Sequence, residues 1–91
     1  MSYVRLASAW DWGTNELRFI RDNGLPLYEL YHIHSPRLNR TFLYRPQTAD
    51  CEEALWRKQK KGWVLALHCT LQLEEARNLY NHYWRQLMLD I

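Results

Sequence analysis

Arginines are the residues of this chain whose type and spacing could bind a ligand. The first 45 residues carry six arginines against four acidic residues. The planar guanidinium group donates two parallel hydrogen bonds to phosphate oxygens, which lysine cannot copy. Arg18 and Arg21 are three residues apart, and Arg37 and Arg40 share the stretch "SPRLNR". They are candidates for phosphate contacts, and the alternative is scattered solvated charges that neighbouring acids partly neutralise.

Histidines and cysteines could bind a metal, but their spacing does not fit one. A structural zinc site needs four ligands, usually in close pairs such as C-x2-C. His32 and His34 would share one face of a strand, while Cys51 and Cys69 form no such pair. We therefore expect no metal and no other cofactor. We expect the two histidines to be polar groups on the solvent face of a hairpin.

Catalytic motifs are not recognisable in the sequence. Cys51 near a helix start could have a lowered pKa, but Glu52 and Glu53 beside it oppose ionisation. We find neither a glycine-rich phosphate loop nor a G-x-S-x-G turn. A chain of this size also has little room for a deep pocket. We expect a protein that is not an enzyme and has no small-molecule substrate.

Length and composition indicate one small folded domain over residues 1–91. The chain is 47% hydrophobic, has a net charge of +2, and contains five Trp, six Tyr and two Phe. That apolar content can fill a core without disulfides or metals. Two cysteines without an apparent leader peptide or a long apolar run predict a cytoplasmic protein with reduced thiols and no membrane contact.

The first half of the chain predicts two short helices. Residues 2–10 suit a helix with Ser2 as N-cap, and residues 14–24 suit a second helix that begins at Thr14 and ends at Asn23-Gly24. The next stretch, residues 27–34, fits either a helical face or a strand. Pro36 extends the residue before it and "RTFLYR" is a natural partner, so a strand is favoured.

The second half of the chain predicts a hairpin, a helix, a strand and a long helix. The hairpin covers about residues 27–45, with "SPRLN" as its loop. Residues 48–62 predict a helix, because Asp50 and Glu53 have the spacing of a capping box and bases lie in the last turn. "WVLALHC" predicts a short strand. The fold class is therefore α+β.

The last helix, at about residues 71–90, has an unusually wide apolar stripe. Apolar residues recur at threes and fours along it, and several are aromatic. A small core could cover only part of this stripe, and aromatic residues are enriched at interfaces. We therefore predict a homodimer whose contact includes four residues of this helix: Tyr80, Tyr83, Trp84 and Leu87.

Part of the chain resembles a known family of DNA-binding domains. The run "LRFIRDNGLPLYEL" followed by "RTFLYRP" and "DCEEAL" resembles the winged-helix pattern of excisionase and MerR-type proteins, over about residues 3–56. The resemblance implies a winged-helix-like fold that binds double-stranded DNA through a recognition helix and a hairpin wing. On this resemblance, the DNA-facing helix would carry Thr14, Asn15, Arg18 and Arg21. The wing would carry Arg37 and Arg40.

A protein-interaction or assembly module is the alternative function. It is favoured by the aromatic stripe of the last helix, which a monomer could bury only partly. The two functions are compatible, because winged-helix proteins often dimerise through a terminal helix and so present two DNA-binding heads to a symmetric site.

Overall fold

The computed structural model describes residues 3–8 and 12–89, which form an α+β fold around one antiparallel sheet. Five strands follow one another in space as in sequence, so the sheet is a simple meander. The elements in chain order are β1 (Tyr3–Leu6), α1 (Thr14–Asp22), a 3-10 turn (Leu27–Glu29), β2 (Tyr31–Ser35), β3 (Arg40–Arg45), β4 (Ala54–Gln59), β5 (Gly62–Leu65) and α2 (Thr70–Leu89).

One helix covers each face of the sheet. Phe19 of α1 packs edge-on against Trp56 of β4, with ring centroids 6.3 Å apart. On the other face, Tyr80 of α2 packs against Tyr31 and Tyr44, at 4.9 and 5.4 Å. Because side chains alternate along a strand, each strand contributes to both layers. We call the two sides of the sheet the α1 face and the α2 face.

The central strand, β3, explains why both faces have a core. Phe42, Leu43 and Tyr44 are consecutive, and all three are buried. Leu43 joins the apolar cluster beneath α1, whereas Phe42 and Tyr44 join the cluster beneath α2. A run of apolar residues without polar alternation is what a strand buried on both sides requires.

The structure confirms the predicted hairpin and the long C-terminal helix. β2 and β3 pair antiparallel, with Tyr31 opposite Tyr44 and Ser35 opposite Arg40. The helix predicted at residues 14–24 is also present as α1. Residues 27–29 form a 3-10 turn and residues 31–35 form a strand, so the strand was the better of the two alternatives for residues 27–34.

The helix predicted at residues 2–10 is wrong where the structure describes it. Tyr3–Leu6 form an edge strand, with Val4 opposite Ile33 of β2. Pairing with β2 gives this short segment hydrogen bonds and a packed apolar neighbour, which a helix of two turns would lack. Residues 2, 9 and 10 of that prediction lie outside the described residues.

The helix predicted at residues 48–62 is also wrong. This segment supplies β4 and the turn into β5, and β5 itself ends at Leu65, within the strand predicted for "WVLALHC". Glu53 does not cap a helix. Its carboxylate accepts hydrogen bonds from Arg77 of α2 and from the Tyr44 hydroxyl, the latter at 2.6 Å. The hydrogen bond from Arg77 is the main cause of a lowered pKa at Glu53, and the bond from Tyr44 lowers it further.

Neither helix in the described part of the chain is both long and apolar enough to cross a lipid bilayer.

Candidate functional site

The meander places two hairpin turns at the same end of the sheet. The turn between β2 and β3 covers residues 36–39, and the turn between β4 and β5 consists of Lys60 and Lys61. The β3–β4 register, with Phe42 opposite Arg57, brings the start of β3 level with the end of β4. Strands lie about 4.8 Å apart, so the two turns are separated by about 10 Å.

This end of the sheet carries a cluster of bases that we call the basic end, defined as Arg37, Arg40, Lys58, Lys60 and Lys61. Arg40, Lys60 and Lys61 are exposed and have no charged partner within the described part of the chain. Two acids oppose the cluster. Arg37 Nε is 3.4 Å from Glu75, and Lys58 Nζ is 2.9 Å from Glu16. Positive charge therefore predominates.

The β2–β3 turn is held in place by buried hydrogen bonds. The Ser35 hydroxyl is fully buried, donates to Glu75 Oε2 at 2.6 Å and accepts from the Leu38 amide at 3.2 Å. Asn39 closes the turn with a φ of 50°, a left-handed conformation that asparagine tolerates better than most residues. The turn is thus tied to α2, and the Arg37 side chain still remains 67% exposed.

The structure divides the six predicted DNA-binding residues between two surfaces. Arg37 contacts Glu75 of α2, and Arg40 lies opposite Ser35 on the α2 face. Arg18 and Arg21 instead belong to α1, which packs on the other face. The sheet therefore lies between the two arginine pairs.

The α1 residues line two different hollows. Thr14, Arg18 and Arg21 border an open groove of about 630 Å³ that has a leucine-rich floor. Asn15 instead lines a cleft of about 310 Å³ between α1 and the β4–β5 hairpin. Only Asn15 of these four residues therefore lies beside the basic end.

Three lysines of the basic end were missed because the sequence placed them in the last turn of a helix. Lys58 is on the α1 face of β4, and Lys60 and Lys61 form the turn that follows. The sequence Lys60-Lys61-Gly62 between two apolar stretches could have predicted a turn at this position. That order is typical of a tight turn, and Gly62 has a φ of 131° there.

The predicted interface residues of α2 also fall into two groups. Tyr80 and Tyr83 are half-buried against Tyr31, whose pKa burial raises to about 12. Trp84 and Leu87 are each 40% exposed, although the Trp84 ring still contacts Tyr31 at 6.4 Å. The two tyrosines therefore hold the helix on the sheet, and the apolar surface left open lies one turn further along.

The prediction that His32 faces solvent is wrong. Its ring lies 5.4 Å from that of Trp12 and 6.5 Å from that of Trp63, both of which are buried. Burial first, and then the nearby Arg5 and Lys58 charges, lower the pKa of His32 to about 4. His34 is half-buried and its Nδ1 lies 3.2 Å from the Thr41 hydroxyl.

Cys51 has the environment of an unreactive thiol. Its Sγ is 2.8 Å from the Glu29 carboxylate, and this hydrogen bond is the main cause of a raised pKa. A thiol kept protonated by a neighbouring carboxylate is a poor nucleophile. Cys69 is likewise unpaired.

No family model, curated protein or solved structure matches this chain. The resemblance to winged-helix domains therefore stays a prediction.

Proposed function

We propose that the protein binds double-stranded DNA through the phosphate backbone, with the basic end as its contact surface. The observation that carries the proposal is that two successive hairpins turn at one end of a rigid sheet and both carry exposed bases. Arg37 and Arg40 belong to the first hairpin, and Lys60 and Lys61 belong to the second. Lysine and arginine that neutralise phosphates supply most of the sequence-independent affinity for DNA.

The first of these hairpins would act as the wing of a winged-helix-like protein. Its arginines project from a short turn that Ser35 and Glu75 fix on α2. Arg37 lies 3.4 Å from Glu75 through its Nε, and its side chain is 67% exposed, so the guanidinium is accessible to a phosphate. Phosphate contacts position a protein on DNA without selecting a base sequence, so we expect weak sequence preference.

Charge variants test which surface binds. We expect the double variant Lys60→Gln/Lys61→Gln to weaken binding to a mixed-sequence duplex by roughly tenfold or more at about 50 mM salt. We expect the same loss from the double variant Arg37→Gln/Arg40→Gln. The matched control is Arg18→Gln with Arg21→Gln, which removes the same charge from a separate groove on α1, away from both turns, and should have a much smaller effect. Fluorescence anisotropy measures all three.

Two results would reject this surface. One is the absence of wild-type binding up to tens of micromolar protein at about 50 mM salt. The other is an equal loss from all three double variants, which would indicate a dependence on net charge alone. A loss confined to the α1 variant would move the contact to the helix that the winged-helix resemblance implies.

Self-association through α2 is a second candidate function, favoured by the apolar surface that the monomer leaves open. Trp84, Leu87 and Met88 are 40, 40 and 70% exposed and lie on one side of the helix. Leu6 of the edge strand, 47% exposed, pairs with Tyr31, whose ring contacts Trp84. Leu6 and Trp84 therefore both neighbour Tyr31 on the α2 face, and exposed apolar residues grouped in this way usually mark interfaces.

A second copy of the chain is the partner that we propose for this surface. Two α2 helices packed side by side would cover the same residues on both chains, as a two-fold interface requires. We expect Trp84→Asp to convert a dimer into a monomer in sedimentation velocity. Leu71→Asp is the control, because Leu71 is 57% exposed in the first turn of the same helix and lies outside the contact. A wild type that sediments as a monomer at about 100 μM would contradict the dimer.

A further inference from the structure

The cleft beside the β4–β5 turn has the form of a small binding site rather than a flat contact surface. Asn15, Glu16 and Phe19 of α1 form one wall, and residues 58–63 of the hairpin form the other. Its volume of about 310 Å³ lies at the lower end of the range for small-molecule sites.

The charges that line the cleft favour an anion with two negative charges. Lys58, Lys60 and Lys61 contribute three ammonium groups, and Glu16 contributes one carboxylate. The excess is therefore two positive charges. A phosphate monoester carries about −1.5 to −2 at neutral pH, whereas a backbone phosphodiester carries about −1. The monoester is the better match in charge.

The walls of the cleft also include a buried indole without a hydrogen-bond partner and the first turn of a helix. Trp63 forms part of the cleft wall, is only 9% exposed, and its indole Nε1–H has no hydrogen-bond partner in the described part of the chain. Asn15, in the first turn of α1, lines the cleft, and the N-cap residue of this helix, Gly13, provides no side-chain cap. An anion near this helix start would be stabilised by its free amide groups.

We propose that this cleft binds one phosphate monoester, held by Lys58, Lys60 and Lys61. This proposal rests in part on the proposed function, because Lys60 and Lys61 belong both to the cleft and to the basic end. The monoester could be a free nucleotide or the terminal phosphate of a nucleic-acid strand. Both present the same dianionic group to the three lysines.

Titration of the protein with methyl phosphate tests the site without nucleic acid. We expect saturable changes in the NMR signals of the Trp63 indole N–H and the Gly62 amide, with the indole signal identified by its loss in Trp63→Phe. Dimethyl phosphate, which has one negative charge less, should bind at least about tenfold more weakly. Shifts that never saturate, or equal affinity for the two ligands, would overturn the proposal.

Two opposite variants sharpen the test. Lys58→Gln should weaken methyl phosphate binding about tenfold, because it removes one charge-assisted contact. Glu16→Gln should strengthen binding, because it removes a repulsive carboxylate and releases Lys58 from its 2.9 Å ion pair. Arg18→Gln, on the outer side of α1, should leave the affinity unchanged. Weaker binding in Glu16→Gln would contradict the proposed site.

Duplexes with and without a 5′-phosphate separate this inference from the proposed function. Methyl phosphate binding without duplex binding would remove the DNA function and leave the cleft as a nucleotide site. Duplex binding without a saturable response to methyl phosphate would remove the cleft and leave the basic end. Tighter binding of the 5′-phosphorylated duplex would support a strand terminus as the source of the monoester.

Discussion

His32 shows how a single residue couples this fold to pH. It lies on the α1 face of β2 between the buried rings of Trp12 and Trp63, and its pKa is lowered to about 4 from an ordinary 6.5. The sequence placed His32 on a strand but not on the buried side, because α1 and Trp12 come to that face only through tertiary packing. Alternation along a strand shows which residues share a face but does not show which face is covered.

The lowered pKa of His32 predicts a stability loss in mild acid. Between pH 6.5 and 4 the unfolded chain binds a proton at His32 that the folded protein excludes, so stability falls as pH falls through this window. His32→Phe should flatten the dependence of unfolding free energy on pH in that range. His82→Phe, on an exposed helix position, is the control. Urea unfolding at several pH values measures the effect, and equal slopes in wild type and His32→Phe would contradict it.

At the scale of elements, the sequence predicts the helices and strands that have a clear local pattern of apolar and turn residues. The α2 stripe and the β2–β3 hairpin have strong periodicity and turn signals, and both are present. Residues 54–59 were mistaken for a helix because their bases and upstream acids imitate helix ends. In the structure, Leu55 and Trp56 instead point to opposite faces, where α2 and α1 cover them. Tertiary burial therefore overrides the local charge pattern.

The basic end could be predicted only in part for the same reason. The sequence predicts the arginines of "SPRLNR" as a site because it also predicts the hairpin that carries them. The lysines at 60 and 61 acquire their position from a strand pairing that the sequence did not reveal, with Lys58 opposite Trp63. Both turns lie at one end of the sheet only because β4 and β5 form this second hairpin.

Gly62 tests the importance of the β4–β5 turn for stability. Its φ of 131° is unfavourable for residues with a Cβ atom, although no neighbouring atom would touch one. We expect Gly62→Ala to reduce the free energy of unfolding by about 1–3 kcal/mol through backbone strain alone. Gly13→Ser is the contrast, because Gly13 has an ordinary extended conformation at a helix N-cap, where serine is favoured. It should be neutral or slightly stabilising. Urea midpoints that fall equally in the two variants would rule out this explanation.

At the scale of the whole molecule, the meander separates charge along the strand direction. The β3–β4 connection lies at the end opposite the two turns, and the start of β2 lies there as well. Four acids belong to these segments, namely Glu29, Asp50, Glu52 and Glu53, against two bases, Arg45 at the end of β3 and Arg77, which pairs with Glu53. A net charge of only +2 therefore conceals an uneven distribution. Such a distribution would orient the protein with its basic end towards a polyanion.

The salt dependence of DNA binding tests the central claim most directly, because each phosphate contact adds about 0.9 to the slope of log affinity against log salt. Four contacts from Arg37, Arg40, Lys60 and Lys61 predict a wild-type slope of about −3.6. Lys60→Gln with Lys61→Gln should reduce the slope by nearly two units, whereas Arg18→Gln with Arg21→Gln should leave it unchanged. A wild-type slope near zero, or a slope that the lysine variant does not alter, would contradict the account.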